Sequence, residues 1–229
     1  HMDEYNVSIT DDEKAAITAA AAQFMEDNSK DAINALGATQ EIVEEYLTLE
    51  TIQSKMKAAI VAGADTNVTD EEAKTGAYSY VGISKTTHQD ESGNTVDYTD
   101  EEKEELAAKV ADFAKAAKED GLDAAAEDAG YTVSTGTFTQ EDDSVDDNLL
   151  AALKNLKEGE VTDLIDGDSS YFVARLDKEV DEDATEETRQ SIIEQRKDDL
   201  YDETLDGWKE GIEWAVKEKV WDDVNFDNL

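Results

Sequence analysis

The chain has 229 residues, enough for one large domain or two small ones with a real core. Hydrophobic residues make up 39% and charged residues 34%, which argues against a disordered chain, and the net charge of −39 argues against nucleic acid as a partner, because phosphate binding needs Lys/Arg clusters. No cysteine occurs, so a disulfide, a thiolate nucleophile and a Cys-ligated zinc are excluded.

No apolar run approaches the ~18 residues of a membrane span. His1-Met2 reads as a cloning remnant ahead of a mature portion whose export signal has been removed. Proline is absent, where average usage of ~5% would give roughly eleven. The acidity reads as a solvated surface for solubility; its alternative roles are steering basic clients or holding divalent cations.

Three near-copies of one phrase, "ITDDE" at Ile9–Glu13, "VTDEE" at Val68–Glu72 and "YTDEE" at Tyr98–Glu102, are capping boxes that start helices. The first predicted helix runs from Thr10 to about Asn28, with Ile17, Ala21, Phe24 and Met25 on its apolar side. A short helix follows Ser29 and stops at Gly37. A third runs from Thr39 to about Gly63, and its stripe of Ile42, Tyr46, Leu49, Met56 and Ile60 predicts helix–helix core.

At Ala77–Ser84 the texture changes to a strand, followed by a polar loop over His88–Asp97 with a hairpin tip around Gly93. Helices over Thr99–Asp120 and Leu122–Ala129 precede a strand over Tyr131–Phe138. The helix Asp146–Leu156 leads to a turn at Gly159 and a last strand over Ser169–Leu176. This order predicts an α+β fold with a small mixed or antiparallel sheet. "DKEVDEDATEE", Asp177–Glu187, reads as an acidic connector into a long helix from Thr188 to about Lys217. That helix carries Ile193, Leu200, Thr204, Trp208, Ile212 and Ala215 along one side.

All three tryptophans, Trp208, Trp214 and Trp221, lie in this tail, and an isolated helix cannot bury them. The expected architecture is a discontinuous helical domain formed by both termini (1–74 and 181–229), with a four-stranded α+β domain (75–180) inserted. The phosphate-loop, dinucleotide and H-E-x-x-H motifs are absent. The acidic clusters "EDDSVDD" and "DGDSS" miss the EF-hand spacing. No cofactor and no metal are expected.

The phrases "LKNLKEGEVTDLI", Leu153–Ile165, and "SSYFVARLDKE", Ser169–Glu179, carry a resemblance to the parvulin-type peptidyl-prolyl isomerase domain. With helices on both flanks and "VTDEEAK" ahead of the first strand, the chain resembles PrsA- and SurA-like extracytoplasmic foldases over nearly its whole length. The resemblance implies a helical chaperone-like domain framing a parvulin-like domain, with unfolded or partly folded secreted proteins as clients. It also implies an exported protein, membrane-anchored through a lipid-modified cysteine upstream or secreted. The oligomeric state is not legible.

Parvulins use two facing histidines and a Met/Phe pocket for the proline ring. Here Tyr80 and Phe172 stand at the histidine positions, and Val145 and Leu149 at the pocket positions. The histidine network is missing, so the resemblance implies weak or absent isomerase activity. The alternatives are an active isomerase and a cell-surface interaction module.

Overall fold

Each of the three Thr-x-x-Glu phrases starts a helix. The computed structural model describes residues 1–90, 92–212, 215 and 218. Its helices and strands, in chain order, are α1 (Asp11–Asp27), α2 (Lys30–Leu36), α3 (Gln40–Val61), α4 (Asp70–Ala73), β1 (Gly76–Ser84), β2 (Thr87–Gln89), β3 (Thr95–Asp97), α5 (Asp100–Asp120), α6 (Leu122–Ala129), β4 (Ser134–Phe138), α7 (Asp147–Leu153), β5 (Ile165–Asp166), β6 (Ser170–Lys178) and α8 (Glu182–Lys209). Thr10, Thr69 and Thr99 cap α1, α4 and α5, and the carboxylate of the glutamate three residues on accepts from each threonine N–H at 2.7–2.8 Å.

The chain divides into two compact units, residues 1–66 with 193–229, and residues 67–192. Their division falls inside α8. In the first unit, Val7, Met56 and Ile60 are buried, and Leu200, Tyr201 and Trp208 of α8 pack against them. Trp208 also meets Tyr5 edge-on at 5.9 Å. The Lys55 ammonium donates to Ser8 O at 2.7 Å and to both Glu13 carboxylate oxygens at 2.8 Å, which ties α3 to the cap of α1. Hydrogen bonds from Lys55 first, then from the Thr10 N–H and hydroxyl, hold the Glu13 pKa down at about 2.

The stripe predicted on α3 splits in two. Its C-terminal half is core, but Ile42, Tyr46 and Leu49 are 54%, 60% and 59% exposed. A helical period reports an apolar face and not whether anything covers it. The long helix also departs from expectation. It starts at Glu182, inside the acidic run read as a connector, because Asp181 caps it: its carboxylate accepts from Ala184 N at 3.1 Å and its carbonyl from Thr185 N at 2.8 Å. The helix ends at Lys209, Ile212 is 53% exposed, and Trp214, Lys217 and Trp221 lie outside the described residues.

The second unit is α+β. Its four-stranded antiparallel sheet has the order β4-β1-β6-β5, and β2 and β3 form a separate hairpin with Gly93 in its turn. Both faces of the sheet are covered. Tyr78, Ala174 and Leu176 meet Leu149, Leu150 and Leu153 of α7 on one side, whereas Val81 and Val173 meet Phe113, Ala117, Leu122 and Ala126 of α5 and α6 on the other.

The Gly-Glu-Val-Thr phrase lies along β6. Gly159 holds φ at +80°, a region costly for residues with a Cβ. Its N–H donates to Leu176 O at 2.7 Å, and Leu176 N donates back to Glu160 O at 3.1 Å. Buried Thr162 ends the phrase, donating from its N–H to Ala174 O at 2.8 Å and accepting at Oγ1 from Ala174 N at 3.0 Å.

Two outcomes follow from these contacts. Thr162→Val strands the buried Ala174 N–H and lowers stability by about 1–3 kcal/mol, whereas Thr162→Ser keeps the acceptor and costs less; urea denaturation measures both. A carboxylate with a depressed folded-state pKa stabilises above its unfolded value and loses that contribution as pH falls through the folded one. The stability advantage of the wild type over Glu13→Gln is therefore full above about pH 5 and shrinks between there and about pH 2, as read from unfolding midpoints across that window.

Candidate functional site

Strand alternation and the β1–β6 register bring Tyr80 and Phe172 to one face, and α7 with the loop before it brings Leu149 and Val145 against that face. Tyr80 lies opposite Ala174 and Gly82 opposite Phe172, so the side chains of Tyr78, Tyr80, Phe172, Ala174 and Leu176 share the α7 side. The Tyr80 and Phe172 rings are diagonal neighbours with centroids 6.2 Å apart, and Tyr78 lies 5.4 Å from Tyr80. Gly82 makes this possible: a Cβ there would sit 3.2 Å from the Phe172 ring, closer than ordinary contact. Val145 and Leu149 reach the same cluster, 9% and 2% exposed.

Tyr78 in this cluster and Asp142 in the loop before α7 were not singled out as site residues from the sequence. Tyr78 is 6% exposed and packs edge-on against Phe138 at 6.0 Å. Burial, then the neighbouring Tyr80 and Asp142, push its pKa up. The period-two alternation was the available signal, since Tyr78 must share a face with Tyr80. Asp142 is the second. Its carboxylate accepts from Ser144 N at 3.0 Å and Ser144 Oγ at 2.5 Å, and these bonds fold the loop that presents Val145. Burial raises its pKa, but hydrogen bonds from Ser144, Thr139 and Val145 outweigh burial and leave it below the ordinary carboxylate value.

Asp146 fixes the next stretch. It caps α7 through Asn148 N at 3.0 Å and Leu149 N at 3.2 Å, and its other oxygen accepts from Asp168 N at 2.8 Å. Burial again pulls upward, and the three N–H groups together with Lys85 bring the net pKa down. Lys85 itself contacts the Asp166 carboxylate and Gly167 O, and its ammonium lies 5.1 Å from the Tyr171 ring centre. The α7 helix and the β5–β6 turn are thus held together by charge beside the aromatic cluster.

On the opposite face, Ser79 Oγ donates to Asp177 at 2.5 Å, and Arg175 bridges Asp177 at 2.6 Å and Asp123. Asp177 sits where the β1–β6 register shifts, a bulge that this ion-pair network anchors. Donating to the Asp123 and Asp177 carboxylates raises the Arg175 pKa. His88 lies on β2, stacked on Tyr98 at 4.5 Å and 3.8 Å from Glu102, outside the Tyr80–Phe172 cluster.

Rotating a prolyl amide means crossing ~18–20 kcal/mol, and a catalyst must favour the twisted bond over the planar one. The cluster offers half-buried Tyr80 and Phe172 as an apolar surface, with tyrosine hydroxyls as its polar groups. Val145 and Leu149, which the sequence resemblance sets at the pocket positions, spend nearly all of their surface on the core. The face therefore suits contact with an extended apolar segment better than enclosure of a ring.

The PPIC-type PPIase domain model matches residues 85–207, more than half of the chain; the match begins just after β1 and ends within α8. Among solved structures, the chain is similar to the peptidylprolyl isomerase PrsA of Bacillus cereus (21% identity over 94% of this chain and 80% of that one, TM-score 0.40). It is also similar to the foldase protein PrsA of Streptococcus pneumoniae (19%, 94% and 82%, TM-score 0.33) and to a SurA-like chaperone of Campylobacter jejuni (12%, 93% and 80%, TM-score 0.32). No curated protein matches. These structural likenesses are loose, and membership rests on the match in sequence: the chain belongs to the PPIC-type peptidyl-prolyl isomerase domain family.

Proposed function

We propose that the chain is an exported, foldase-like chaperone that holds unfolded or partly folded secreted proteins, with an isomerase-type unit that is weak or inactive as a catalyst. One observation carries the catalytic part. The site face holds Tyr78, Tyr80 and Phe172 packed on Leu149 and Val145, and the chain's two histidines, His1 and His88, lie elsewhere. An apolar groove in the first unit supports the holding part. About 420 Å³ in volume, it is lined by Phe24, Ile42, Val43, Tyr46 and Leu47 among others.

In this reading the clients bind weakly through extended apolar segments at both surfaces, and the acidic exterior keeps sister copies apart. The extracytoplasmic placement, with a lipid anchor upstream, follows the resemblance of Leu153–Ile165 and Ser169–Glu179 to exported foldases. Among the described residues no helix is long and apolar enough to cross a membrane.

Family membership favours a second reading, an active prolyl isomerase in which the Tyr80 hydroxyl donates to the twisted amide. An assay of Xaa-Pro peptides separates the two. The expected result is a rate near the uncatalysed one that Tyr80→Phe leaves unchanged; a substantial rate abolished by Tyr80→Phe at unchanged stability establishes the enzyme. Leu149→Ala is the poorer probe, because emptying a buried leucine site costs about 2–5 kcal/mol of stability. For holding, the expected outcome is that several-fold excess of the protein suppresses aggregation of a chemically unfolded secreted client. No suppression at any excess removes the chaperone reading.

A further inference from the structure

The apolar groove of the first unit has an acidic frame. It runs between α1 and α3 and is lined by Ala20, Phe24, Ile42, Val43, Tyr46 and Leu47. None of these side chains belongs to the Val7–Met56–Ile60 core. Ile42 and Tyr46 are more than half exposed, as is Leu36 nearby in the chain at the end of α2. A volume of about 420 Å³ falls in the range of binding clefts, about 300–1,000 Å³.

Charge identifies the occupant. Residues 15–54 carry seven acids, Glu26, Asp27, Asp31, Glu41, Glu44, Glu45 and Glu50, against one base, Lys30. The helical period places Glu50 one turn beyond Tyr46 on the groove face of α3 and Asp27 on the Ala20–Phe24 side of α1. An anionic lipid surface or a nucleic acid is repelled by this rim. A second copy of the chain, itself at −39, would set one acidic rim against another. A neutral apolar segment gains only from the floor. A segment with large apolar side chains flanked by Lys or Arg gains from both floor and rim.

We infer that this groove is a docking site for short peptide segments in which apolar residues are flanked by Lys or Arg. This rests on the holding reading and names the client class: segments that are cationic as well as apolar. The apolar floor sets retention, and the acidic rim sets selection and the rate of encounter, so binding weakens with salt.

The test is fluorescence anisotropy of the full chain with dye-labelled peptides that share one Leu/Phe core and differ only in flanks of Lys, Ser or Glu. The Lys-flanked peptide is expected to bind about tenfold more tightly than the Glu-flanked one at low salt, the sum of two or three solvent-screened ion pairs. That preference should fall as salt is raised. Ile42→Ser with Tyr46→Ser, both exposed and so tolerable to the fold, should abolish binding at an unchanged urea midpoint. Asp27→Lys with Glu50→Lys, at the two acids placed beside the groove, keeps the apolar lining residues and should remove or invert the preference. Equal binding of all three peptides, or Lys-flanked binding indifferent to the Ile42/Tyr46 pair, overturns the assignment. If the Ile42/Tyr46 variant also suppresses client aggregation as the wild type does, holding stands and the groove is not its site. If the wild type suppresses no aggregation, holding itself fails.

Discussion

The second unit depends on the antiparallel ladder between β1 and β6. These two strands are the centre of the sheet, and each carries residues of both cores on alternate positions. A slip of one residue would turn Tyr78 and Tyr80 towards α5 and α6 and Val81 towards α7, exchanging the contents of two packed layers. Several local features pin the register. Gly82 yields space to Phe172, the bulge at Asp177 is locked by Ser79 and Arg175, and the Gly159–Thr162 phrase is zipped to the far side of β6. The candidate site face is a by-product of the same ladder, since this register sets Tyr80 diagonal to Phe172.

The abundant carboxylates do structural work that the net charge conceals. Asp142, Asp146 and Asp181 each accept from backbone N–H groups at a turn or helix start, and Glu13, Glu72 and Glu102 close capping boxes. Such bonds favour the ionised form and partly offset the repulsion of a highly charged chain. The acidic clusters noticed in the sequence thus have an observed role in shaping loops, most clearly where Asp146 joins α7 to the turn before β6. That joint steadies the wall from which Leu149 reaches the aromatic cluster.

How much was legible in the residues depended on whether the signal was local. Capping boxes and left-handed glycines act within a few residues, so the starts of α1, α4 and α5 and the turns at Gly37 and Gly159 could be read directly. The start of α8 was missed because a run of acids looks like a solvated linker until Asp181 is recognised as a cap. Coverage is a tertiary property, which is why the apolar stripe of α3 proved to be core at Met56 and Ile60 and open at Ile42 and Tyr46. At the site, motif alignment supplied Tyr80, Phe172, Val145 and Leu149, and the structure gathers them in one cluster. Tyr78 was overlooked although alternation placed it beside Tyr80, and Asp142 because its part lies in hydrogen bonds that no spacing reveals.

The register of the central strands can be measured directly by nuclear Overhauser contacts on the full chain. The ladder described here requires ring-to-ring contacts between Tyr80 and Phe172 and backbone contacts between Tyr80 and Ala174. Contacts from the Tyr80 ring to Phe113 or Leu122 instead would put it on the other face and contradict both the sheet and the site built upon it.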